Sequence, residues 1–368
     1  MEMSLKYLRK LGLPFPDWHA TQEIGSGTFG SVYRIESRQG EICALKVIPV
    51  PSSSVEMLET MQNCGNDPVQ ARAAFDATVQ RILKREIGTA KQCAGSPNVF
   101  RIYEEAVVDD PENPVQRYIM VRMELLMECK SFLHQQETRQ RDVLRMMENI
   151  ASALAYMEGR NILHRDIKPA NIMVDSQGLF KLTDFGEARV VQQEASHTIA
   201  RGTPYYMAPE VATSGHYDNR ADIYSLGMVA YYFLNGMRYP FAQNGLRARE
   251  GYERRMRGDP CPAIRRVDRR VNSIILRCVA FRPEERYSRA VELLSDLREL
   301  LRDSSVGTEL LNAPGSASGG SVSSRSGGGM SGRPGNGNGG GLSTTAIVLI
   351  VLGGVMLFIL LAVLVTML

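Results

Sequence analysis

A chain of 368 residues with 44% hydrophobic and 23% charged content can bury a substantial core, as one large domain or two ordinary ones with tails. Its formal net charge of +3 is too small to point to nucleic acid. Six cysteines (Cys43, Cys64, Cys93, Cys129, Cys261, Cys278) lack C-x-x-C spacing or nearby histidines, which argues against zinc or a disulfide framework and for reduced thiols in a cytosolic setting.

Residues 1–17 carry Lys6, Arg9 and Lys10 but no long apolar run, so they read as a short polar extension and not as a signal peptide. The run Ile24-Gly25-Ser26-Gly27-Thr28-Phe29-Gly30 then sets G-x-G-x-x-G between two extended segments, where missing Cβ atoms let backbone N–H groups approach phosphate oxygens. A strand, Val32 to Ile35, follows it, whereas a dinucleotide fingerprint opens a helix. A second strand, Cys43 to Ile48, carries Lys46 among apolar residues, a costly placement without an anionic partner. Residues 55–92 read as helix, broken by a Gly-Asn-Asp-Pro turn near Cys64 to Pro68; Glu86 in the second half is the expected partner of Lys46. The part around 51–75 reads as a helical insertion. Pro97 to Tyr103 and Tyr118 to Met123 read as strands with turn-rich sequence between them, and Met123-Glu124-Leu125-Leu126 follows as a connector.

Asp142 to Gly159 repeats apolar residues (Val143, Met146, Met147, Ile150, Leu154) at helical spacing, as a central buried helix would. Next comes His164-Arg165-Asp166-Ile167-Lys168-Pro169-Ala170-Asn171, followed by Asp184-Phe185-Gly186. These supply the equipment for phosphoryl transfer: Asp166 to orient or deprotonate a hydroxyl, Lys168 to neutralise developing charge, and Asn171 and Asp184 as hard oxygen ligands for Mg²⁺. Ser196, Thr198 and Thr203 lie on the segment that ends in Ala208-Pro209-Glu210, and Arg165 offers a cation for a phosphate placed there. The stretch from Arg247 to Arg289 is arginine-rich, with Arg265, Arg266, Arg269 and Arg270 close together; it reads as a solvated basic face or, more sharply, as a dock for an acidic substrate or anionic lipid headgroups. Composition changes near residue 303: Gly315 to Gly341 is nearly all Gly, Ser, Asn and Pro, the composition of a flexible linker. Ala346 to Val365 then offers twenty residues without a charge, matching the ~20 needed to cross a bilayer as a helix.

At the glycine-rich run, Lys46, His164 to Asn171, Asp184 to Gly186 and Ala208 to Glu210, the chain resembles the eukaryotic-type serine/threonine protein kinases, bacterial membrane-anchored ones in particular. The resemblance covers about residues 20–300. It implies an α+β bilobal fold: a small β-rich lobe at about 18–123 and a mainly helical lobe at about 127–302; beyond it, composition and apolar length place the linker at 303–343 and a transmembrane helix at 344–368. By the same resemblance Ile24 to Gly30, Val32, Ala44, Lys46, Met173 and Asp184 would surround ATP. Met123 would be the gatekeeper, and backbone groups of Glu124 and Leu126 would bind adenine. Asp222 would anchor the loop around Asp166, and Arg286 would pair with Glu210. Lys168 and Thr203 match the serine/threonine class. The implied partners are ATP with Mg²⁺ (or Mn²⁺), protein substrates, a membrane, and a second copy for autophosphorylation in trans.

Overall fold

In the computed structural model the described residues are 4–27, 30–135, 138–190, 205–215, 217–242 and 248–311. Helix α1 (Leu5–Leu11) precedes strands β1 (Trp18–Gly27), β2 (Gly30–Ser37) and β3 (Ile42–Val50). Helices α2 (Ser54–Asn63) and α3 (Pro68–Ile82) follow, and α3 runs through a wider π-type turn, Leu83–Ile87, into α4 (Gly88–Gln92). Strands β4 (Ile102–Asp109) and β5 (Arg117–Met123) complete an antiparallel sheet in the order β1-β2-β3-β5-β4.

Strand β3 is buried along nearly its whole length because the sheet is covered on both faces. Successive side chains point to opposite faces. Cys43, Leu45 and Val47 join Leu8 and Phe15 on one side, and Ile48 and Val50 join Phe75, Val79 and Ile87 on the other. Lys46 shares the parity of Ile48, so it faces the helix that carries Glu86.

The residues before 18 are more than a polar extension. Ser4 caps α1, Leu8 is fully buried, the Tyr7 hydroxyl donates to Asp110 Oδ1 at 2.7 Å, and Arg9 Nε donates to the Ala20 carbonyl at 3.0 Å. The break between α2 and α3 falls where expected. Gly65 and Asn66 take left-handed conformations (φ 64 and 59), and Asp67 caps α3 with Pro68 at its first position. The strand expected at 97–103 needs correcting, since regular pairing starts only at Ile102. Residues 98–100 instead lie against the strand that ends at Leu182: Leu182 N–H donates to Asn98 O (2.8 Å) and Phe100 N–H to Leu182 O (3.1 Å).

The second half is mainly helical. Strand β6 (Met127–Glu128) and α5 (Cys129–Leu133) lead to α6 (Gln140–Glu158), β7 (Ile162–Leu163), β8 (Ile172–Val174), β9 (Phe180–Leu182) and β10 (Arg189–Val190). Helices α7 (Pro209–Ser214), α8 (Asn219–Leu234), α9 (Ala248–Met256), α10 (Arg269–Cys278) and α11 (Ala290–Arg302) follow. Val143, Met146, Met147, Ile150 and Leu154 of α6 are buried, as their spacing required. Helix α8 is buried on nearly every face, and Gly227 is the reason it can approach α10: a Cβ there would meet Cys278 Cβ at 2.5 Å. Gly227→Ala gains about 1 kcal/mol of helix propensity but forces overpacking that costs about 1–3 kcal/mol. A net loss of stability is expected in urea unfolding.

The fold also continues beyond the expected linker start at 303. Residues 303–311 return to the first turn of α6, where Arg141 N–H donates to Gly307 O (2.8 Å), Gln140 N–H to Glu309 O (2.9 Å) and Leu311 N–H to Thr138 O (2.8 Å). The apolar run 346–365 lies outside the described residues. Among the described residues no helix is long and apolar enough to cross a membrane.

Candidate active site

The π-type turn widens the helix at the position of Glu86, and its carboxylate forms an ion pair with Lys46 Nζ. Burial acts to lower the Lys46 pKa, but the carboxylates of Glu86 and Asp184 outweigh it and hold the ammonium above its usual value. Lys46 therefore stays cationic throughout the neutral range. A raised lysine pKa gives stability that is present below the usual value of 10.5 and lost only as pH rises through the raised one. Gly186 marks how closely these groups converge. A Cβ there would sit 3.3 Å from Asp184 Oδ1 and 3.8 Å from Glu86 Oε2.

Across from this pair, Asp166 is held by two neighbours. Lys168 Nζ lies 2.7 Å from its Oδ2, and Asn171 Nδ2 donates to the same oxygen at 2.9 Å and to the Asp166 carbonyl at 2.8 Å. The adjacent Ile167 is buried and ties the loop to the core. Because Asn171 spends its NH₂ on Asp166, its amide oxygen is left as the acceptor. Thr183 N–H donates to the Asn171 carbonyl at 2.9 Å, which brings Asp184 alongside. Among the described residues there is no group of three or more acidic, histidine or cysteine side chains that could hold an ion unaided. The donor set of Asn171 and Asp184 suits Mg²⁺, which binds one or two protein oxygens and takes its remaining ligands from phosphate and water.

A buried frame holds this loop. Asp222 accepts from the N–H groups of His164 (Oδ2, 2.8 Å) and Arg165 (Oδ1, 3.0 Å), and Arg165 takes a left-handed conformation (φ 68). That conformation is unfavourable for a residue with a Cβ and persists where neighbours impose it. Asp184 is likewise left-handed (φ 62). Phe185, fully buried, packs edge-on to His164 at 5.1 Å between ring centroids and lies 6.0 Å from Phe100, while His164 Nε2 sits 3.0 Å from the Thr183 carbonyl.

Tyr217 was not singled out from sequence. Its hydroxyl donates to Asp222 Oδ1 at 2.7 Å, and burial followed by the Asp222 charge holds its phenol pKa well above the usual value. Tyr217→Phe removes a hydrogen bond to a charged group, worth about 1.5–3 kcal/mol. Thermal unfolding should register that loss, and kcat should fall with it as the Asp166 loop loosens. A tyrosine in a polar stretch gives no local signal of such a role.

The remaining expected positions lie on the five-stranded sheet, the connector and β8. Ile24 is 42% exposed on β1, and Gly25, Ser26 and Gly27 end that strand; Thr28 and Phe29 are outside the described residues. Gly30 has φ +116, and a Cβ there would meet the Val47 carbonyl at 2.1 Å, so this glycine is required. Val32 pairs with Lys46 across the sheet, and Ala44 with Met123. Glu124 fixes the connector: its N–H donates to Arg101 O (3.0 Å), and its carboxylate accepts from Arg101 N–H (2.6 Å) and Lys181 Nζ (2.7 Å). Leu126 and Met123 pack on the core of the helical half, and Met173 is half-buried on β8. Ser196, Thr198 and Thr203 are outside the described residues.

Glu210 receives Arg286 in a two-pronged pair at 2.7 and 2.8 Å, with the arginine side chain fully buried. The arginine-rich stretch is thus not uniformly a solvated face. Arg255 is also buried, donating to the Tyr224 hydroxyl (2.6 Å) and the Tyr205 carbonyl (2.7 Å).

Comparison with known proteins agrees with this geometry. The family model described as Protein kinase domain matches residues 18–297. The chain is 34% identical over 220 residues to Mitogen-activated protein kinase kinase kinase 3 of Arabidopsis thaliana, covering 58% of this chain and 31% of that protein. It is 32% identical over 232 residues to Serine/threonine-protein kinase PrkC of Bacillus subtilis, covering 61% and 34%. With Serine/threonine-protein kinase PknB of Mycolicibacterium smegmatis the identity is 29% over 237 residues, covering 62% and 37%. The aligned part spans only about a third of the length of these relatives.

Proposed function

The chain belongs to the protein kinase family, and from that premise we propose that it transfers the γ-phosphate of ATP to serine and threonine hydroxyls of proteins. The observation that carries the reading is the convergence of Asp166, with Lys168 2.7 Å and Asn171 2.9 Å from one of its carboxylate oxygens, with Asp184 and the Lys46–Glu86 pair. Asp166 orients the acceptor hydroxyl for in-line attack and takes its proton. Lys168 lies where it neutralises charge gathering on the transferred group, and Lys46 pairs with the α- and β-phosphates. Asn171 and Asp184 would hold Mg²⁺ or Mn²⁺, which when bound neutralises phosphate charge. The serine/threonine assignment is supported by Lys168 and Thr203 and by the names of the relatives.

The twenty uncharged residues from Ala346 to Val365 support a single-pass membrane anchor. ATP use sets the kinase domain in the cytoplasm, and Arg325 and Arg333 before the span agree with that orientation. Crowding on the membrane would favour phosphorylation in trans of Ser196, Thr198 or Thr203, with Arg165 as the cationic partner. Phosphate mapping after incubation with ATP is expected to find a modified site between Val190 and Thr203; none there would contradict this step. The activity itself is tested by comparing phosphoproteomes of cells carrying wild type or Asp166→Asn. Loss of serine and threonine sites in the variant is expected, and identical phosphoproteomes would overturn the proposal.

A further inference from the structure

Arg265, Arg266, Arg269 and Arg270 occupy four of six consecutive positions, all exposed, at the start of α10. Arg270 is engaged by Asp268 (3.1 Å) and Asp303 (3.0 Å); among the described residues neither Arg265 nor Arg269 has an ion-pair partner. What the structure adds is where this group lies relative to the chain's course. Gln140 joins the two. Its side chain donates to the Arg266 carbonyl (3.0 Å) and to Glu309 Oε2 (3.0 Å), and its backbone N–H donates to Glu309 O (2.9 Å). The returning segment 303–311 therefore lies on the same edge as the arginines. Arg139, exposed there, donates to the Thr308 carbonyl, and Arg302, also exposed, ends α11.

We propose that this arginine edge docks on the anionic headgroup surface of a bilayer and so fixes how the kinase domain stands on the membrane. The inference rests on the reading that residues 346–365 anchor the chain. Only residues 312–345 separate the edge from that span, and a Gly/Ser-rich tether of this length has an r.m.s. reach of roughly 30–35 Å. Tethering at that range gives a high effective concentration, so individually weak headgroup contacts become populated. Basic clusters next to a membrane span are attracted by anionic lipid within a Debye length, about 8 Å at physiological salt. The edge also lies at the start of α6, whose far end leads to the Asp166 loop. Nineteen helical residues span roughly 28 Å, so docking by this edge leaves the Asp166 loop at the opposite end of α6, up to about that far from the headgroups. An acidic protein is the other chemistry such an edge could meet. The neighbouring exit of the chain favours the bilayer.

The test uses the full chain reconstituted in vesicles of phosphatidylcholine alone or with one-third phosphatidylglycerol. Flotation on the neutral vesicles in high salt reads the anchor separately. Backbone amide exchange at 138–141 and 264–270 reads docking. Exchange there is expected to slow about fivefold or more on the anionic vesicles, to recover in high salt, and to recover in Arg265→Glu/Arg269→Glu, whose phosphoryl transfer in detergent should match wild type. Flotation with equal exchange on both vesicles overturns the docking while leaving the anchor. Failure to float overturns the anchor reading and the docking with it. Protection brought about by an added acidic protein and not by anionic lipid would also overturn the proposal.

Discussion

Asp166→Asn is expected to lower kcat by about 10²–10⁴-fold, the usual contribution of a positioned general base, with KM for ATP unchanged. The asparagine keeps the size of the side chain and one oxygen for Lys168 and Asn171, so the loop should keep its shape. What it loses is the capacity to take a proton and the negative charge that Lys168 pairs with. Asp166 is only 12% exposed in its side chain and is held by Asn171 Nδ2 at 2.9 Å, so the replacement side chain stays in a fixed place in the loop. A variant that lost activity through misplacement would instead raise KM and lower the melting temperature. Steady-state kinetics with calorimetry separates these outcomes, because kcat and KM report different losses of binding.

The second large effect falls on stability. Arg286 is fully buried in its side chain, and besides Glu210 it donates to the carbonyls of Ala280 (2.8 Å) and Phe281 (2.9 Å). Arg286→Ala takes away the two-pronged partner of Glu210, 16% exposed in the first turn of α7. Breaking a buried pair from one side costs about 3–5 kcal/mol. For a domain of this size each kcal/mol shifts the melting temperature by roughly 2–4 °C, so a fall of roughly 6–20 °C is expected. The double substitution Arg286→Met/Glu210→Leu should recover part of it, because both charges then leave together. If the single and double variants melt alike, the pair is not what holds this corner.

How much of this was legible from sequence depended on whether chemistry or geometry sets the position. Lys46 in an apolar strand demands a carboxylate, and Glu86 was the candidate on the following helix; the structure pairs them. Asp166, Lys168 and Asn171 lie within six positions, so local backbone alone brings them together. Asp222 and Arg286 could be named only through the family resemblance, since their partners are 58 and 76 positions away. Helix α1 was illegible because a seven-residue helix with one buried leucine shows no amphipathic pattern until the sheet is present to cover it. The apolar run at 97–103 reads as one strand by composition, yet its first half bonds across to Leu182 while only its end enters the large sheet. Arg255 stood in a stretch whose other arginines are mostly solvated, and nothing local distinguishes it; burial followed from two acceptors, Tyr224 and Tyr205, both distant in sequence. The return of 303–311 to α6 was hidden for the same reason, since the groups that hold it, backbone N–H and the side chains of Arg139, Gln140 and Arg141, lie more than 160 positions away.

The most direct test of the account is transfer itself. Purified full chain is incubated with ATP, Mg²⁺ and a set of peptides identical except for serine, threonine, tyrosine or alanine at one position, and the products are read by mass spectrometry. Phosphate on the serine and threonine peptides, with none on alanine and little on tyrosine, is the predicted result. ATP hydrolysed to free phosphate while every peptide stays unmodified would contradict it.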